Sequence, residues 1–190
     1  MRMIQIITLL IITVFYLVYF VKMYVQRQQG IQTNQMGVGE KPAKVRRIEI
    51  ALRMMTIVMV IVEIVSVLFN LSSGLPVVGW LGIVIAGVGC LFFTVAVVTM
   101  RNNWRAGIAI HDDTELVTTG IYQISRNPAF TGFYLMYIGV FVSFANPVHL
   151  VCMLATIAIF HRQVKQEEEY LSLRFGATYA EYRRRTRRYL

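Results

Sequence analysis

Five apolar runs separated by polar segments dominate the chain. The runs cover residues 3–25, 48–71, 76–100, 128–145 and 147–160. Each of the first three is long enough to cross a hydrocarbon core of about 30 Å as an α-helix. The last two are shorter and are split only by the sequence Ala-Asn-Pro, so we expect an antiparallel helical hairpin. The pattern predicts an all-α integral membrane protein with five transmembrane helices, the last two forming the hairpin, followed by a cytoplasmic helical tail in which Gly176 stops a helix.

The polar segments differ in charge. Nearly all lysines and arginines outside the runs lie in residues 26–47, in residues 101–127 and in the tail, whereas the turns at 72–76 and 145–147 hold none. Lys and Arg are enriched in cytoplasmic loops. Five helices with the N-terminus outside place all three basic segments in the cytoplasm, and an even number would separate them. The first run is longer than a signal-peptide core and has no cleavage site after it, so we expect it to stay as a span.

Composition agrees with a membrane protein. Hydrophobic types make up 56% of the 190 residues and charged types 15%, against about 45–50% and about 25% in soluble domains. The length suits a single domain, with three helices in residues 1–100 and the more polar residues in 101–190. The net charge is +9, and because the basic clusters border apolar runs we assign them to the lipid bilayer and expect no nucleic-acid partner.

Few polar residues in this chain have the spacing of a known site. Cys90 and Cys152 lie inside apolar runs, which indicates buried thiols, and three isolated histidines (111, 149 and 161) give no metal-ligand spacing. Glu63 lies midway along the second run, as a neutral or hydrogen-bonded acid or as a functional group of the membrane interior. Arg53 can reach the headgroups and pair with Glu49 at i,i+4.

The tail sequence "VKQEEEYLSLRFG" places carboxylates beside an apolar stripe. Val164, Leu171 and Phe175 share one helical face, and Glu167 and Glu168 fall between the first two. A carboxylate on a buried face needs a cationic or hydrogen-bonding partner. The candidates are the arginines at 126 and 162 or a cationic ligand, and the alternative is a solvated acidic face.

Small residues recur in the third run. Gly87 and Gly89 resemble half of a nucleotide-binding loop, but they lie within an apolar helix that no strand precedes. Gly82, Ala86 and Gly89 together form a face suited to close helix packing.

Three stretches in the second half of the chain resemble one family. They are "NNWRAGI" (102–108), "TELVTTGIYQISRNPAF" (114–130) and "EEEYLSLRFGATYAEYRRRTRRYL" (167–190). In this order they resemble the isoprenylcysteine carboxyl methyltransferase family, small integral membrane enzymes that use S-adenosylmethionine. The family pattern runs Leu-Val, Gly-x-Tyr, Arg-His-Pro-x-Tyr, a helical hairpin, then Glu-Glu ahead of Phe-Gly and two tyrosines. The first three runs match only in hydropathy.

The resemblance implies that residues 101–190 form a cofactor-binding catalytic region, with residues 1–100 as its membrane anchor. The implied cofactor contacts are Thr114, Glu115, Leu116, Val117, Tyr122, Asn127, Pro128, Ala129, Phe130 and Glu167, and more weakly Gly87 and Gly89. Arg126 and Glu168 are the implied catalytic residues, and Arg162 and Gln163 the implied substrate contacts.

The chain departs from the family pattern at three of these positions. Asn127 replaces a histidine, Phe130 a tyrosine, and Gln163 an arginine that is tied to the substrate in eukaryotic enzymes. The turn at Pro128 survives, and a helix starting there would direct free amides at an anionic group such as the cofactor's carboxylate. Arg126 would hold that carboxylate or the tail glutamates; the alternative is a structural turn with Arg126 reaching the headgroups.

The expected activity is S-adenosylmethionine-dependent methylation of a lipophilic small molecule, most simply on a carboxylate, enol or hydroxyl oxygen. The acceptor would enter from the bilayer and the cofactor from the cytosol. One alternative is an NADPH-dependent membrane reductase of the sterol-reductase type, which shares an Arg-x-Pro turn but follows its proline with Asn-Tyr instead of Ala129-Phe130. The other is a non-enzymatic basic membrane scaffold.

Overall fold

The computed structural model describes residues 2–72, 75–110 and 114–190, and these residues fold into helices and connecting loops. The helices are α1 (Met3–Gln28), α2 (Ala43–Leu68), α3 (Pro76–Met100), α4 (Pro128–Ser143) and α5 (Pro147–Arg185), with short 3-10 turns at Arg101–Asn103 and Gly120–Gln123. Within the described ranges no β-strand occurs, only two isolated bridges. The all-α class is therefore confirmed.

Four helices of the described chain, α1, α2, α3 and α5, are long and apolar enough to cross a membrane. The helix α4 is shorter, at 16 residues, or about 24 Å at 1.5 Å per residue, so its crossing remains a prediction. The helix stop predicted at Gly176 agrees with a break in α5: the φ of 50° and ψ of −121° are non-helical, and a second helical segment follows directly and continues to Arg185. The turn predicted at 72–76 includes residues 73 and 74, which lie outside the described residues.

Small residues bring α3 and α4 into close contact, as predicted. A Cβ atom added to Gly89 would lie 2.5 Å from the backbone nitrogen of Met136. Atoms added to Gly82 or Gly139 would collide with the facing backbone in the same way. Because no larger residue fits at these positions, the two helix backbones approach closely and fix the position of α4.

Aromatic side chains join α4 to the rest of the bundle. Phe133 of α4 lies 4.8 Å from Phe15 of α1, 5.1 Å from Phe93 of α3 and 5.1 Å from Phe160 of α5, measured between ring centroids. All four rings are buried. This cluster lies just beyond the first turn of α4 and therefore supports the Arg-Asn-Pro turn from inside the bundle.

The three basic segments meet at one end of the bundle. Backbone hydrogen bonds join Gln35 to Ala106 and Arg126 to Arg187. At the opposite end, the Asn146 side chain donates to α2. The grouping agrees with the predicted topology, and the side of the membrane that each end faces remains a prediction.

Several polar predictions have specific outcomes. Glu49 does not pair with Arg53, because its fully buried carboxylate bonds Lys41 instead. Glu63 is fully buried, and neither oxygen has a hydrogen-bond partner among the described residues. Cys90 and Cys152 are free thiols, as expected, but each is partly exposed instead of buried.

Candidate functional site

A cavity at the basic end of the bundle collects most of the residues singled out from the sequence. The segment after α3, the turn before α4 and the part of α5 beyond its apolar section form its walls. Its volume is about 150 Å³, and it opens to the outside of the bundle. The predicted residues that line it are Thr114, Glu115, Leu116, Val117, Tyr122, Arg126, Asn127, Pro128, Ala129, Phe130 and Glu167.

The remaining predicted residues lie elsewhere. Glu168 is directly behind the wall, bonded to Arg126, and Gln163 contacts the cavity only through Glu167. Arg162 is exposed and is not among the lining residues. Gly89 is enclosed between α3 and α4, and neither it nor Gly87 reaches the cavity. Close packing leaves no room for a ligand at Gly89, whereas the space beside Gly87 is open.

Glu168 is the centre of a buried ionic network. Its Oε1 accepts hydrogen bonds from Arg126 Nη2 at 2.9 Å and from Asn127 Nδ2 at 3.1 Å. Its Oε2 accepts from Arg188 Nη2 at 2.7 Å. Burial raises the pKa of Glu168, but hydrogen bonds from Arg188 and Arg126 outweigh it and leave that pKa below its usual value. At neutral pH the carboxylate is therefore ionised and holds the turn before α4 against α5.

The end of the chain folds back onto the same turn. Arg126 donates from its side chain to the backbone oxygen of Thr186, and its backbone N–H donates to Arg187 at 2.9 Å. Ser125 Oγ donates to the Arg188 carbonyl at 3.2 Å. Of the two anions that the sequence offered to Arg126, a cofactor carboxylate or a tail glutamate, the structure shows the glutamate.

Glu167 differs from Glu168 in the direction of its side chain and in the shift of its pKa. Its side chain faces the cavity, and Oε1 accepts a hydrogen bond from Gln163 Nε2 at 2.9 Å. Burial raises the pKa of Glu167 to about 7, against the lowering effect of the Gln163 hydrogen bond. Two adjacent carboxyls thus have distinct environments, one fixed in an ion pair and one free to meet a ligand.

The first turn of α4 has backbone donors without a partner in the helix. Asn127 is the N-cap residue without a side-chain cap bond, and Pro128 occupies the first helical position. The first i→i−4 bond is made by the Thr131 amide, so the amides of Ala129 and Phe130 have no acceptor within the helix. Both residues line the cavity, where such amides favour an anionic group.

The wall opposite α4 was not predicted from the sequence. Gly107, Ile108 and Ala109 line the cavity, and Tyr170 of α5 donates to the Ala109 carbonyl at 2.9 Å. Tyr182 donates to the Tyr122 carbonyl at 2.7 Å. The only sequence signals were the "NNWRAGI" stretch and the tyrosines after Phe-Gly, which carried the resemblance without indicating their contacts.

The cavity offers complementary chemistry within one space. Glu167 can accept hydrogen bonds from hydroxyl or ammonium groups, and the α4 amides can hold a carboxylate. Trp104, Tyr122 and Phe130 add aromatic surface, which suits a planar ring. The donor set therefore fits a zwitterionic ligand with a planar ring, and its polar groups span both the turn and α5.

The sequence was compared with known proteins. The sequence model of the isoprenylcysteine carboxyl methyltransferase (ICMT) family matches residues 80–173, which include α4 and the cavity-lining residues from Met100 to Leu171.

The chain is also similar to individual proteins that are named protein-S-isoprenylcysteine O-methyltransferases. The probable protein-S-isoprenylcysteine O-methyltransferase of Oryza sativa subsp. indica is 32% identical over 108 residues, 55% of this chain and 56% of the rice protein. The protein-S-isoprenylcysteine O-methyltransferase of Saccharomyces cerevisiae is 38% identical over 72 residues, 37% of this chain and 30% of the yeast protein. The human enzyme of the same name is 36% identical over 75 residues, 39% of this chain and 26% of the human protein. The matched part thus spans about half the length of the rice relative and less of the others.

Proposed function

Because the chain belongs to the isoprenylcysteine carboxyl methyltransferase family, we propose that it is an integral membrane enzyme that transfers a methyl group from S-adenosylmethionine to an oxygen of a lipophilic acceptor. One observation carries this proposal. The third stretch that resembles the family (167–190) is far in sequence from the first two (102–108 and 114–130), yet all three contribute to the walls of one cavity. Their convergence is what a shared ligand requires and what a basic scaffold does not.

The residues of the cavity fit the proposed cofactor, and each has a definite role. Glu167 would accept hydrogen bonds from the cofactor's ammonium or ribose hydroxyl groups. The Ala129 and Phe130 amides would hold its carboxylate at the start of α4. Tyr122 and Phe130 would supply aromatic surface for the adenine ring. Arg126 does not need to touch the cofactor for this arrangement, because it holds the turn through Glu168.

Bound S-adenosylmethionine supplies an activated methyl group whose bond to sulfur breaks as the bond to the acceptor oxygen forms, leaving a neutral thioether. The protein's task is then to position the acceptor and exclude water. No strong base is needed for a carboxylate acceptor. Buried aromatic side chains around Phe133 and Phe160 close the cavity toward the bundle interior and limit access by water.

The acceptor is lipophilic in this proposal. The relatives are protein-S-isoprenylcysteine O-methyltransferases by name, and on this ground we narrow the proposed small-molecule acceptor to a prenylated cysteine carboxylate. Residues 101–190 are the part of the chain to which this transfer of function applies, because the matched segment lies mainly there. We therefore propose a carboxylate on a prenyl-type chain as the first acceptor to test.

Calorimetry on the purified, detergent-solubilised chain tests the cofactor. S-adenosylhomocysteine should bind saturably and NADPH should not. Glu167→Gln should weaken binding about tenfold, because a charge-assisted hydrogen bond is lost, whereas the exposed neighbour variant Glu169→Gln should bind as the wild type does. Saturable binding of NADPH alone would support the reductase instead, and binding of neither would leave the scaffold.

Methyl transfer is tested separately with a labelled donor. S-prenylated cysteine derivatives should become labelled in an ester that alkali cleaves, and the unprenylated amino acid should not. A matched lipophilic alcohol distinguishes carboxylate from hydroxyl chemistry. Binding of S-adenosylhomocysteine without methylation of either lipophilic compound would refute the proposed acceptor class while keeping the cofactor.

A further inference from the structure

A buried ion pair lies beneath the wall of the cavity opposite α4. Lys41, in the loop between α1 and α2, donates to Glu49 Oε2 at 2.8 Å and to Oε1 at 3.0 Å. The side chains are 2% and 0% exposed. Neither residue touches the cavity, and neither lies in residues 80–173, which match the family. A buried pair of charges is costly to desolvate, so the pair itself adds little to stability. Its role is therefore better explained by the other groups that it contacts.

The Glu49 carboxylate holds the backbone of that wall. Its Oε1 accepts a hydrogen bond from the Ile108 amide at 2.8 Å, and its Oε2 accepts one from the Gly37 amide at 2.8 Å. Gly107 has a φ of +92°, and a Cβ atom there would lie 3.0 Å from Glu49 Oε1. Glycine is therefore required where the wall passes over the carboxylate.

Further contacts extend the same seam. Ala106 donates to the Thr33 carbonyl at 2.9 Å and accepts from the Gln35 amide at 2.8 Å. Gln26, at the end of α1, donates to the Trp104 carbonyl at 3.2 Å. The segment 104–109 is thus fixed from behind by the first two helices and their loop, while its other side faces the cavity.

We propose that Lys41 and Glu49 are positioning residues for the cofactor site: the pair holds Gly107, Ile108 and Ala109 in the shape that the bound cofactor requires. This inference rests on the proposed function. It assigns a role in the site to the part of the chain expected to serve only as a membrane anchor.

The pair also acts electrostatically on Glu167. Beyond the dominant effect of burial, the Glu49 charge raises the pKa of Glu167 and the Lys41 charge lowers it. Tyr122, in the turn before α4, and the adjacent Glu168 are further titratable groups near Glu167. The remaining titratable groups of the cavity are Arg105, Arg126, Glu115 and three tyrosines of α5. Removing Glu49 should therefore lower the pKa of Glu167, and removing Lys41 should raise it.

The test uses the full chain and its S-adenosylhomocysteine affinity measured by calorimetry from pH 5.5 to 8.5. In Glu49→Gln we expect about a tenfold weaker affinity. The pH at which the affinity is half-maximal (the midpoint) should be lower than in the wild type. Lys41→Met should also weaken binding, but its midpoint should move upward. The double variant, in which no charge is left unpaired, should return the midpoint toward the wild-type value. The exposed neighbours Glu40→Gln and Lys44→Met are the matched controls.

Hydrogen exchange of the unliganded protein gives a readout independent of the cofactor. Glu49→Gln should accelerate exchange in residues 104–110 and leave α4 unchanged, and Lys41→Arg, which keeps the charge, should restore protection relative to Lys41→Met. Wild-type affinity in the single variants, or midpoints that move in the same direction, would overturn the inference. If the wild type bound no S-adenosylhomocysteine, the proposed function would fail, and the exchange experiment would still decide whether the pair holds the wall.

Discussion

Replacing Glu168 by glutamine should destabilise the protein, because it breaks the ion pairs that hold the turn before α4 against α5. The substitution preserves side-chain shape but removes the negative charge that Arg126 and Arg188 share. The Arg126 side chain is 7% exposed and the Arg188 side chain 32% exposed. The first guanidinium therefore loses its counter-charge in a nearly dry environment, while water can partly solvate the second.

The magnitude follows from these exposures. Breaking a fully buried ion pair by removing one partner costs about 3–5 kcal/mol. Because Arg188 is partly solvated, we expect about 2–3 kcal/mol for Glu168→Gln. For a chain of this size, each kcal/mol changes the melting temperature by roughly 2–4 °C, which gives a decrease of about 4–12 °C. The matched control is Glu181→Gln, whose exposed i,i+4 pair with Arg185 should contribute less than about 0.5 kcal/mol.

Thermal unfolding in detergent at several pH values measures the melting temperatures of the wild type and of both variants. The pKa of Glu168 is lowered in the folded protein, so its contribution to stability is present above the ordinary carboxyl pKa and is lost as pH falls through the lowered value. The melting temperatures of the wild type and Glu168→Gln should therefore differ at pH 7 and converge in acid. Equal melting temperatures at pH 7, or a loss as large in Glu181→Gln, would refute the reasoning.

Three further predictions concern single positions. Because the pKa of Glu167 is about 7, this acid ionises as pH rises through that value; the S-adenosylhomocysteine affinity measured by calorimetry should rise over the same range, and Glu167→Gln should abolish the dependence. Gly89→Ala should destabilise the fold by about 1–3 kcal/mol through overpacking against Met136, whereas Gly87→Ala, whose added atom meets nothing within 4 Å, should not; equal melting temperatures would contradict the packing role. Glu63→Leu should unfold at the wild-type temperature or above it, because the buried carboxyl has no partner among the described residues; a clear loss of stability would show that the carboxyl has an unrecognised partner.

The helices and the convergence of the site were predictable from local patterns. Apolar runs of membrane length specify helices because backbone groups in a bilayer must be satisfied internally. The carboxylates beside the stripe of Val164 and Leu171 indicated a buried partner, and Arg126 is that partner for Glu168. Pro128 marked the start of α4 because its missing amide costs least there.

Long-range pairing could not be predicted in the same way. Lys41 lies in the loop before α2, and helical spacing favoured Arg53 as the partner of Glu49, although the loop lysine reaches the buried carboxylate instead. Arg188 comes from the folded-back end of the chain, where five arginines in close sequence offered no reason to prefer one. At Gly176 the local rule located the break, since a positive φ of 50° interrupts the helix, but it could not predict that a second helical segment follows directly and continues to Arg185.

The unequal lengths of α3 and α4 explain why a polar cavity can form at the end of an apolar bundle. Gly139 of α4 lies opposite Ala86, and Gly132 lies opposite Gly89 and Phe93, so the helices run antiparallel with a fixed register. Pro128, four residues before Gly132, is then level with the last turn or two of α3, which continues to Met100. At 1.5 Å per residue this offset leaves a recess of roughly one helical turn. The recess places the first turn of α4 at the cavity, where the proposed function requires a lipophilic acceptor and a polar cofactor to meet.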